Sequence, residues 1–107
     1  MYEQIKFPVG SGGVNDLMDV SVVQYLLNRA SARVGIPLEL IDVDGVMGPE
    51  TLAAIREFQE RYSPKRVNGR VEPGGETLNQ LRVTANTDFL NDGESYLTPP
   101  SWPLKLA

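Results

Sequence analysis

Residues 42–59 of this chain read Asp-Val-Asp-Gly-Val-Met-Gly-Pro-Glu-Thr-Leu-Ala-Ala-Ile-Arg-Glu-Phe-Gln, a glycine-punctuated loop followed by an amphipathic helix pattern. The two loop glycines permit backbone conformations that a β-carbon penalises, and the φ of Pro49 suits the first residue of a helix. Apolar residues then recur at spacings of three and four until Pro64, which disfavours a helical residue before it. The pattern predicts a helix from Pro49 to Tyr62.

A second helix pattern precedes this stretch and a shorter one follows it. Apolar residues fall on one helical face over residues 20–34, and Asp19 is the candidate N-cap because its carboxylate can accept from the free amides of a first turn. Leu78 and Leu81 predict core positions in a third helix over about residues 75–83. The expected fold class is therefore all-α: a compact three-helix bundle with long loops and irregular N- and C-terminal arms.

The loop before the central helix is repeated later in the chain. Val-Asp-Gly at 43–45 before Pro-Glu-Thr-Leu at 49–52 returns as Val-Asn-Gly at 67–69 before Glu-Thr-Leu at 76–78. This repeat predicts two similar loop-to-helix units that pack together. A solenoid is a poorer explanation, because it needs three or more repeats.

Three segments occur together in an order that is typical of one known family. They are Asp19-Val-x-x-Val-Gln-x-Leu-Leu-Asn28, Asp44-Gly-x-x-Gly-Pro-x-Thr51 with Ile55 and Phe58-Gln59 after it, and Pro73-Gly-Gly-Glu-Thr-Leu-Asn-Gln-Leu81. On these residues the chain resembles the peptidoglycan-binding family of small three-helix domains. The resemblance implies a noncatalytic module that binds the glycan strand and stem peptides of bacterial cell-wall peptidoglycan, often attached to a hydrolase that it concentrates on its substrate.

The resemblance divides the chain into three parts: an N-terminal arm with a glycine-rich turn (1–13), the three-helix domain (14–83) and a proline-rich aromatic tail or linker (84–107). The alternation of Ile5, Phe7 and Val9 suggests that the arm is extended. The tail carries large apolar groups that could contact the bundle or a partner. The competing hypothesis is therefore a protein-interaction module that docks a cell-wall hydrolase or a secretion component.

Composition excludes several function classes. With 107 residues, a net charge of −4, no histidine and no cysteine, the chain fits one domain without nonspecific attraction to nucleic acid or membranes. The usual zinc sites and the Ser-His or Cys-His nucleophiles cannot be assembled. The turn at 42–45 is similar to the start of a calcium loop but lacks the third ligand and the closing glutamate. We expect a monomer with no catalytic residue, metal or cofactor.

The N-terminal residues indicate whether the chain carries a signal for export. They lack the apolar run of about 7–15 residues that a secretory signal needs, and the chain has no apolar stretch of about 18 residues to cross a membrane. We expect synthesis in the cytoplasm and action at the cell wall or periplasm after export by another route.

The candidate ligand site is the loop that enters the central helix: Asp44, Gly45, Met47, Gly48, Thr51 and Arg56. Asp44 and Gly45 would shape a rim, and Met47 offers an apolar contact. Free amides at the helix start, together with Arg56, could bind a stem-peptide carboxylate. The alternative is that these residues only shape a turn. Hydrolysis by paired carboxylates among Asp42, Asp44 and Glu50 is disfavoured, because such side chains near a turn are more often solvated or capping.

Two further expectations concern packing. Gln24 and Gln59 lie on or beside the apolar faces of their helices, and their amides either contact sugar or peptide or hydrogen-bond loop backbone, the second being favoured. The apolar connection at 37–43 should be held against the core by Leu38, Leu40 and Ile41.

Overall fold

The structure, a computed structural model, describes residues 4–86, and most of them lie in three α-helices. In chain order the elements are β1 (Val9–Gly10), α1 (Leu17–Val34), α2 (Pro49–Tyr62), a 3₁₀ turn (Pro64–Arg66), β2 (Arg70–Val71) and α3 (Glu76–Ala85). The predicted three-helix fold and the bounds of α2 are confirmed. The small antiparallel pairing of β1 with β2, with Val9 opposite Val71, was not predicted.

Each helix turns one apolar face into a shared core, and α1 lies mainly along α3. Fully buried residues at the predicted spacings of three and four are Val20, Val23, Leu27 and Ala30 in α1, Ile55 and Phe58 in α2, and Leu78 and Leu81 in α3. Each large side chain of this kind contributes about 1.5–3 kcal/mol by leaving water. Val34, at the end of the predicted α1 pattern, is instead 37% exposed. Helical periodicity therefore located most of the helical core.

The N-cap of α1 is Asp16, and the prediction of Asp19 was wrong. Asp16 Oδ2 accepts from backbone amides of the first turn at 3.2 and 3.3 Å. Asp19 is buried one turn further on, and its two carboxylate oxygens accept from the backbone amides of Lys6 at 3.1 Å and Phe7 at 3.0 Å. These partners lie more than ten residues upstream, so a local capping pattern could not reveal them.

The N-terminal arm is part of the packed fold. Ile5 and Val9 are buried, whereas Phe7, expected on the same side, is half exposed. The side chain of Asn15 fixes the following glycine-rich turn: its Oδ1 accepts from the amide of Gly10 at 2.6 Å and its Nδ2 donates to the carbonyl of Gly10 at 3.1 Å. The turn is thus held by hydrogen bonds at both ends of the loop.

The third helix continues through Ala85, two residues beyond the predicted end. Thr84 and Ala85 are buried, and Nη2 of Arg29 donates to the carbonyl of Ala85 at 3.1 Å. The folded unit therefore extends past the predicted boundary at residue 83. The hypotheses about the tail fall on residues 87–107, outside the described part of the chain. No helix within residues 4–86 is long and apolar enough to cross a membrane.

Candidate functional site

The side-chain amide of Gln24 organises the loop that enters α2. Its Oε1 accepts from the backbone amides of Asp44 at 3.0 Å and Gly45 at 2.9 Å. Its Nε2 donates to Asp44 Oδ1 at 3.0 Å, to the carbonyl of Val46 at 3.1 Å and to Thr51 Oγ1 at 2.9 Å. One buried side chain thereby ties α1, the loop and the first turn of α2 together.

Gln59 does the same for the loop that enters α3. Its Oε1 accepts from the amides of Asn68 at 3.0 Å and Gly69 at 2.8 Å. Its Nε2 donates to Asn68 Oδ1 at 2.9 Å, the carbonyl of Arg70 at 3.0 Å and Thr77 Oγ1 at 3.1 Å. The predicted pair of similar units and the predicted bonds from both glutamines to loop backbone are confirmed.

The glycine of each loop lies against a leucine of the preceding helix. A β-carbon on Gly45 would lie 2.7 Å from Leu17 Cγ, and one on Gly69 would lie 2.9 Å from Leu52 Cδ1. Both glycines have left-handed φ values, 76° and 70°. Each leucine lies seven residues before the glutamine of its own helix, so the repeat includes the helix as well as the loop.

The two units differ in the length of chain between glutamine and glycine, which is 21 residues in the first and 10 in the second. The longer connection of the first unit contains residues 36–42, which we call the wall segment. Asn28 holds it by donating to the carbonyl of Ile41 at 2.7 Å and accepting from the amide of Ile41 at 2.9 Å. The amide of Leu38 also lies 3.4 Å from Glu57 Oε1 on α2.

An open cleft of about 670 Å³ lies between the wall segment and α2. This volume is in the range of small-molecule and cofactor sites. Leu38 and Leu40 line it and are 75% and 69% exposed, so the expectation that they hold the connection against the core was wrong. Ile41 alone of the three packs on the core. The hydrogen bonds of Asn28 and the packing of Ile36 and Ile41 on the core, rather than leucine burial, keep the wall segment in place.

The structure brings three of the six predicted site residues into this cleft: Asp44, Gly48 and Thr51. Thr51 is buried and accepts a hydrogen bond from Gln24, so it fixes the start of α2 as well as lining the cleft. Gly45 lies beneath Leu17, and Met47 is partly buried against the core.

Arg56 lies elsewhere, in the second unit. A β-carbon on Gly69 would lie 2.8 Å from its Nε, and Arg56 does not line the cleft. Periodicity placed Arg56 on α2 two turns from its start, but the side chain points to the second loop. A role of the six residues in binding a ligand stays a prediction.

The sequence analysis missed most of the cleft lining. The missed residues come from the wall segment and from the outer face of α2: Leu38, Glu39, Leu40, Asp42, Glu50, Ala53 and Glu57. The sequence feature that could have indicated these residues is that the apolar connection at 37–43 also carries acidic residues. Alternation of leucine with glutamate is also typical of a segment that covers a core, so this pattern alone did not identify the cleft.

Electrostatics at the loop disfavour a general-acid role for Asp44 in glycosidic cleavage. The backbone amide of Val46 and the side chain of Gln24 donate hydrogen bonds to its carboxylate and lower its pKa below the usual value. A general acid for glycosidic cleavage needs the opposite, a raised pKa. Within residues 4–86 no group of three or more acidic side chains is arranged to hold a metal ion.

A small helical domain with an open cleft, fixed by a buried amide and lined by apolar and acidic side chains, is a binding module in form. The family described as "Putative peptidoglycan binding domain" matches residues 18–81, more than half of the chain. The chain belongs to this family. Membership implies peptidoglycan binding, and the matched range contains all residues that line the cleft. No curated protein and no solved structure matches the chain significantly.

Proposed function

We propose that this chain is a noncatalytic module that holds peptidoglycan in the cleft between the wall segment and α2. The observation that carries the proposal is that a cleft of about 670 Å³ lies wholly within the residues matched by a peptidoglycan-binding family. Three of its residues, Asp44, Gly48 and Thr51, were already candidates from the sequence. Gly45 and Met47 belong to the same loop and pack against Leu17 and the core, respectively.

The lining suits a ligand made of sugar and peptide. Leu38 and Leu40 offer exposed apolar surface for the faces of sugar rings or the methyl groups of alanine. Gly48 is the N-cap of α2 and provides no side-chain cap, so backbone amides of the first turn are available to hydroxyl or carbonyl oxygens. Asp44 and Glu50 can accept hydrogen bonds from hydroxyls and amides.

Sedimentation with purified insoluble peptidoglycan tests the proposal. Ala53 is an exposed residue of α2 in the cleft, and Ala53→Trp should fill the space and reduce retention at least tenfold. Ala32→Trp is the matched control, since Ala32 is an exposed alanine of α1 that does not line the cleft. Equal retention of both variants and the parent chain would refute the cleft as the site, as would a loss only with Arg56→Ala.

In this proposal the module anchors itself or an associated hydrolase at the cell wall or periplasm, where the polymer lies. The family match supports this role. To test it, the rate of peptidoglycan degradation is compared between a hydrolase fused to the parent chain and the same hydrolase fused to the Ala53→Trp variant. The parent chain itself should release no soluble fragments.

The second candidate function is docking of a protein partner, and a specific surface favours it. Val14, Leu17, Met18 and Val46 are each at least 60% exposed, and Leu17 lies against Gly45. Such side chains are typical of protein contacts when they lie together. If Met18→Asp abolished wall retention from cell extracts while Ala53→Trp did not, retention would depend on a docked protein rather than on the cleft.

A further inference from the structure

The charge of the cleft indicates which chemical group it selects, an inference that rests on the proposed function. Five carboxylates line the cleft, contributed by Glu39, Asp42, Asp44, Glu50 and Glu57. Among the described residues that line it there is no lysine or arginine. Four of the five residues are exposed and Glu57 is partly buried, but all five line one concave space together with Leu38 and Leu40.

The acidic charge of the cleft is not neutralised from within the folded unit. One oxygen of Asp44 is occupied by Gln24 and the amide of Val46, and one oxygen of Glu57 faces the amide of Leu38. Across residues 4–86, no basic side chain forms an ion pair with any of the five, and Arg56 lies at the second loop. Most of the carboxylate oxygens therefore have no described donor.

This balance argues against a ligand carboxylate at the start of α2. A helix N-terminus is equivalent to about half a positive charge. The cleft that it borders is lined by five carboxylates, and Glu50 Oε1 already lies 3.3 Å from where a β-carbon on Gly48 would be. A carboxylate entering the cleft would be repelled, whereas a cation would be attracted.

We propose that the cleft binds a primary ammonium group of peptidoglycan. Such a group occurs on the side chain of a stem-peptide diamino acid that has not been cross-linked, and on a glucosamine that has lost its acetyl group. Its N–H groups can donate to a carboxylate oxygen that has no described donor, and Leu38 and Leu40 can contact the methylene groups of a lysine-like stem. Cross-linking converts the first of these amines into an amide, so in this proposal an un-cross-linked wall binds better than a cross-linked one.

The experiment compares native insoluble peptidoglycan with the same material after N-acetylation of its free amines, using the full chain in sedimentation. Acetylation removes the positive charge of each amine and adds a small acetyl group. Hydrogen bonds to charged groups are worth about 1.5–3 kcal/mol, so the apparent Kd should rise about tenfold or more. Raising the salt concentration should weaken binding to the native material and have little effect on the acetylated material.

Charge-removing variants locate the effect. Asp44→Asn keeps the side-chain shape, and Asn68 shows that asparagine makes the same loop contacts in the second unit. Asp44→Asn and Glu50→Gln should each weaken binding of native peptidoglycan by a larger factor than binding of the acetylated material. Glu60→Gln is the matched control, an exposed glutamate of α2 outside the cleft. It should change neither value.

Two soluble probes distinguish the sources of the ammonium group. One is a synthetic stem tripeptide with lysine at its third position, against its ε-acetyl derivative. The other is a glucosamine tetramer, against its fully acetylated form. Preference for the free amine in either pair, lost in Asp44→Asn, supports the proposal and names the source.

Failure of this inference differs from failure of the proposed function. If Ala53→Trp abolishes retention but acetylation and the charge variants have no effect, the cleft binds the polymer and the ammonium inference is wrong. If Ala53→Trp is retained like the parent chain, the cleft is not the site and both proposals fail.

Discussion

Asp44 and Asn68 occupy equivalent places in two loops of this protein and make the same hydrogen bonds. Asp44 Oδ1 accepts from Gln24 Nε2 at 3.0 Å and from the amide two residues ahead at 3.0 Å. Asn68 Oδ1 accepts from Gln59 Nε2 at 2.9 Å and from the amide two residues ahead at 3.0 Å. The loop geometry thus needs an oxygen acceptor at this position, and the negative charge is an addition of the first loop.

The first prediction separates the charge of Asp44 from its shape. Its folded-state pKa is lowered from 3.8 by the amide of Val46 and by Gln24, so its carboxylate stabilises the fold above the unfolded pKa. That stability is lost as pH falls through the folded pKa. Asp44→Asn should be less stable than the parent chain at neutral pH, and the difference should disappear in strong acid. Urea unfolding at several pH values measures it. A difference that stays constant with pH would contradict the assignment.

The second prediction concerns the two glutamines. Gln24→Ala and Gln59→Ala each leave two backbone amides of a loop without their acceptor, and each should lower the free energy of unfolding by roughly 2–4 kcal/mol. Gln80→Ala is the control, because among residues 4–86 the Gln80 amide bonds only the hydroxyl of Thr84, one turn along α3, and the loss should be about 0.5 kcal/mol or less. Chemical denaturation checks all three. Similar values for Gln59→Ala and Gln80→Ala would refute the structural role of Gln59.

Local chemistry explains why the helices could be predicted from the sequence. Pro49 and the apolar spacing of α2 gave its bounds, and the repeated Glu-Thr-Leu gave the second loop-to-helix unit. These signals act between residues that are close in the chain, and they are encoded by backbone restriction and by periodicity.

The cleft could not be predicted in the same way, because its two sides come from distant residues. Residues 36–42 are placed by Asn28, which lies 13 residues from Ile41, and nothing in the local pattern of Leu38 and Leu40 distinguishes an exposed wall from a core strip. Asp19 shows the same limit, since its acceptor role depends on an arm 12 and 13 residues upstream. Three of the six predicted site residues line the cleft, because the loop and the first turn of α2 border it.

The third prediction distinguishes backbone strain from crowding. Gly45 and Gly35 have nearly equal φ values of 76° and 77°, but only Gly45 has close neighbours, the side chain and carbonyl of Leu17. Gly35→Ala should cost about 1–2 kcal/mol, the cost of a β-carbon in a left-handed conformation. Gly45→Ala should cost roughly 1–3 kcal/mol more, because the backbone oxygen at 2.9 Å cannot rotate away. Thermal or urea unfolding of the two variants gives the comparison, and equal costs would show that the loop can shift.

The fourth prediction tests how the N-terminal arm is attached. Asp19 is buried and accepts from the amides of Lys6 and Phe7, so Asp19→Ala removes both acceptors at once. We expect faster hydrogen exchange at these two amides and a loss of about 1–3 kcal/mol in the free energy of unfolding. Asp19→Asn keeps one acceptor oxygen and should give an intermediate result.

Asp16→Ala is the control for this prediction, since it removes the N-cap of the same helix without touching the arm. It should cost about 1 kcal/mol and leave the exchange of the Lys6 and Phe7 amides unchanged relative to the rest of the molecule. Because the arm lies outside residues 18–81 and does not line the cleft, Asp19→Asn should still bind peptidoglycan like the parent chain. Unchanged protection of both amides in Asp19→Ala would show that the pairing of β1 with β2 holds the arm without the carboxylate.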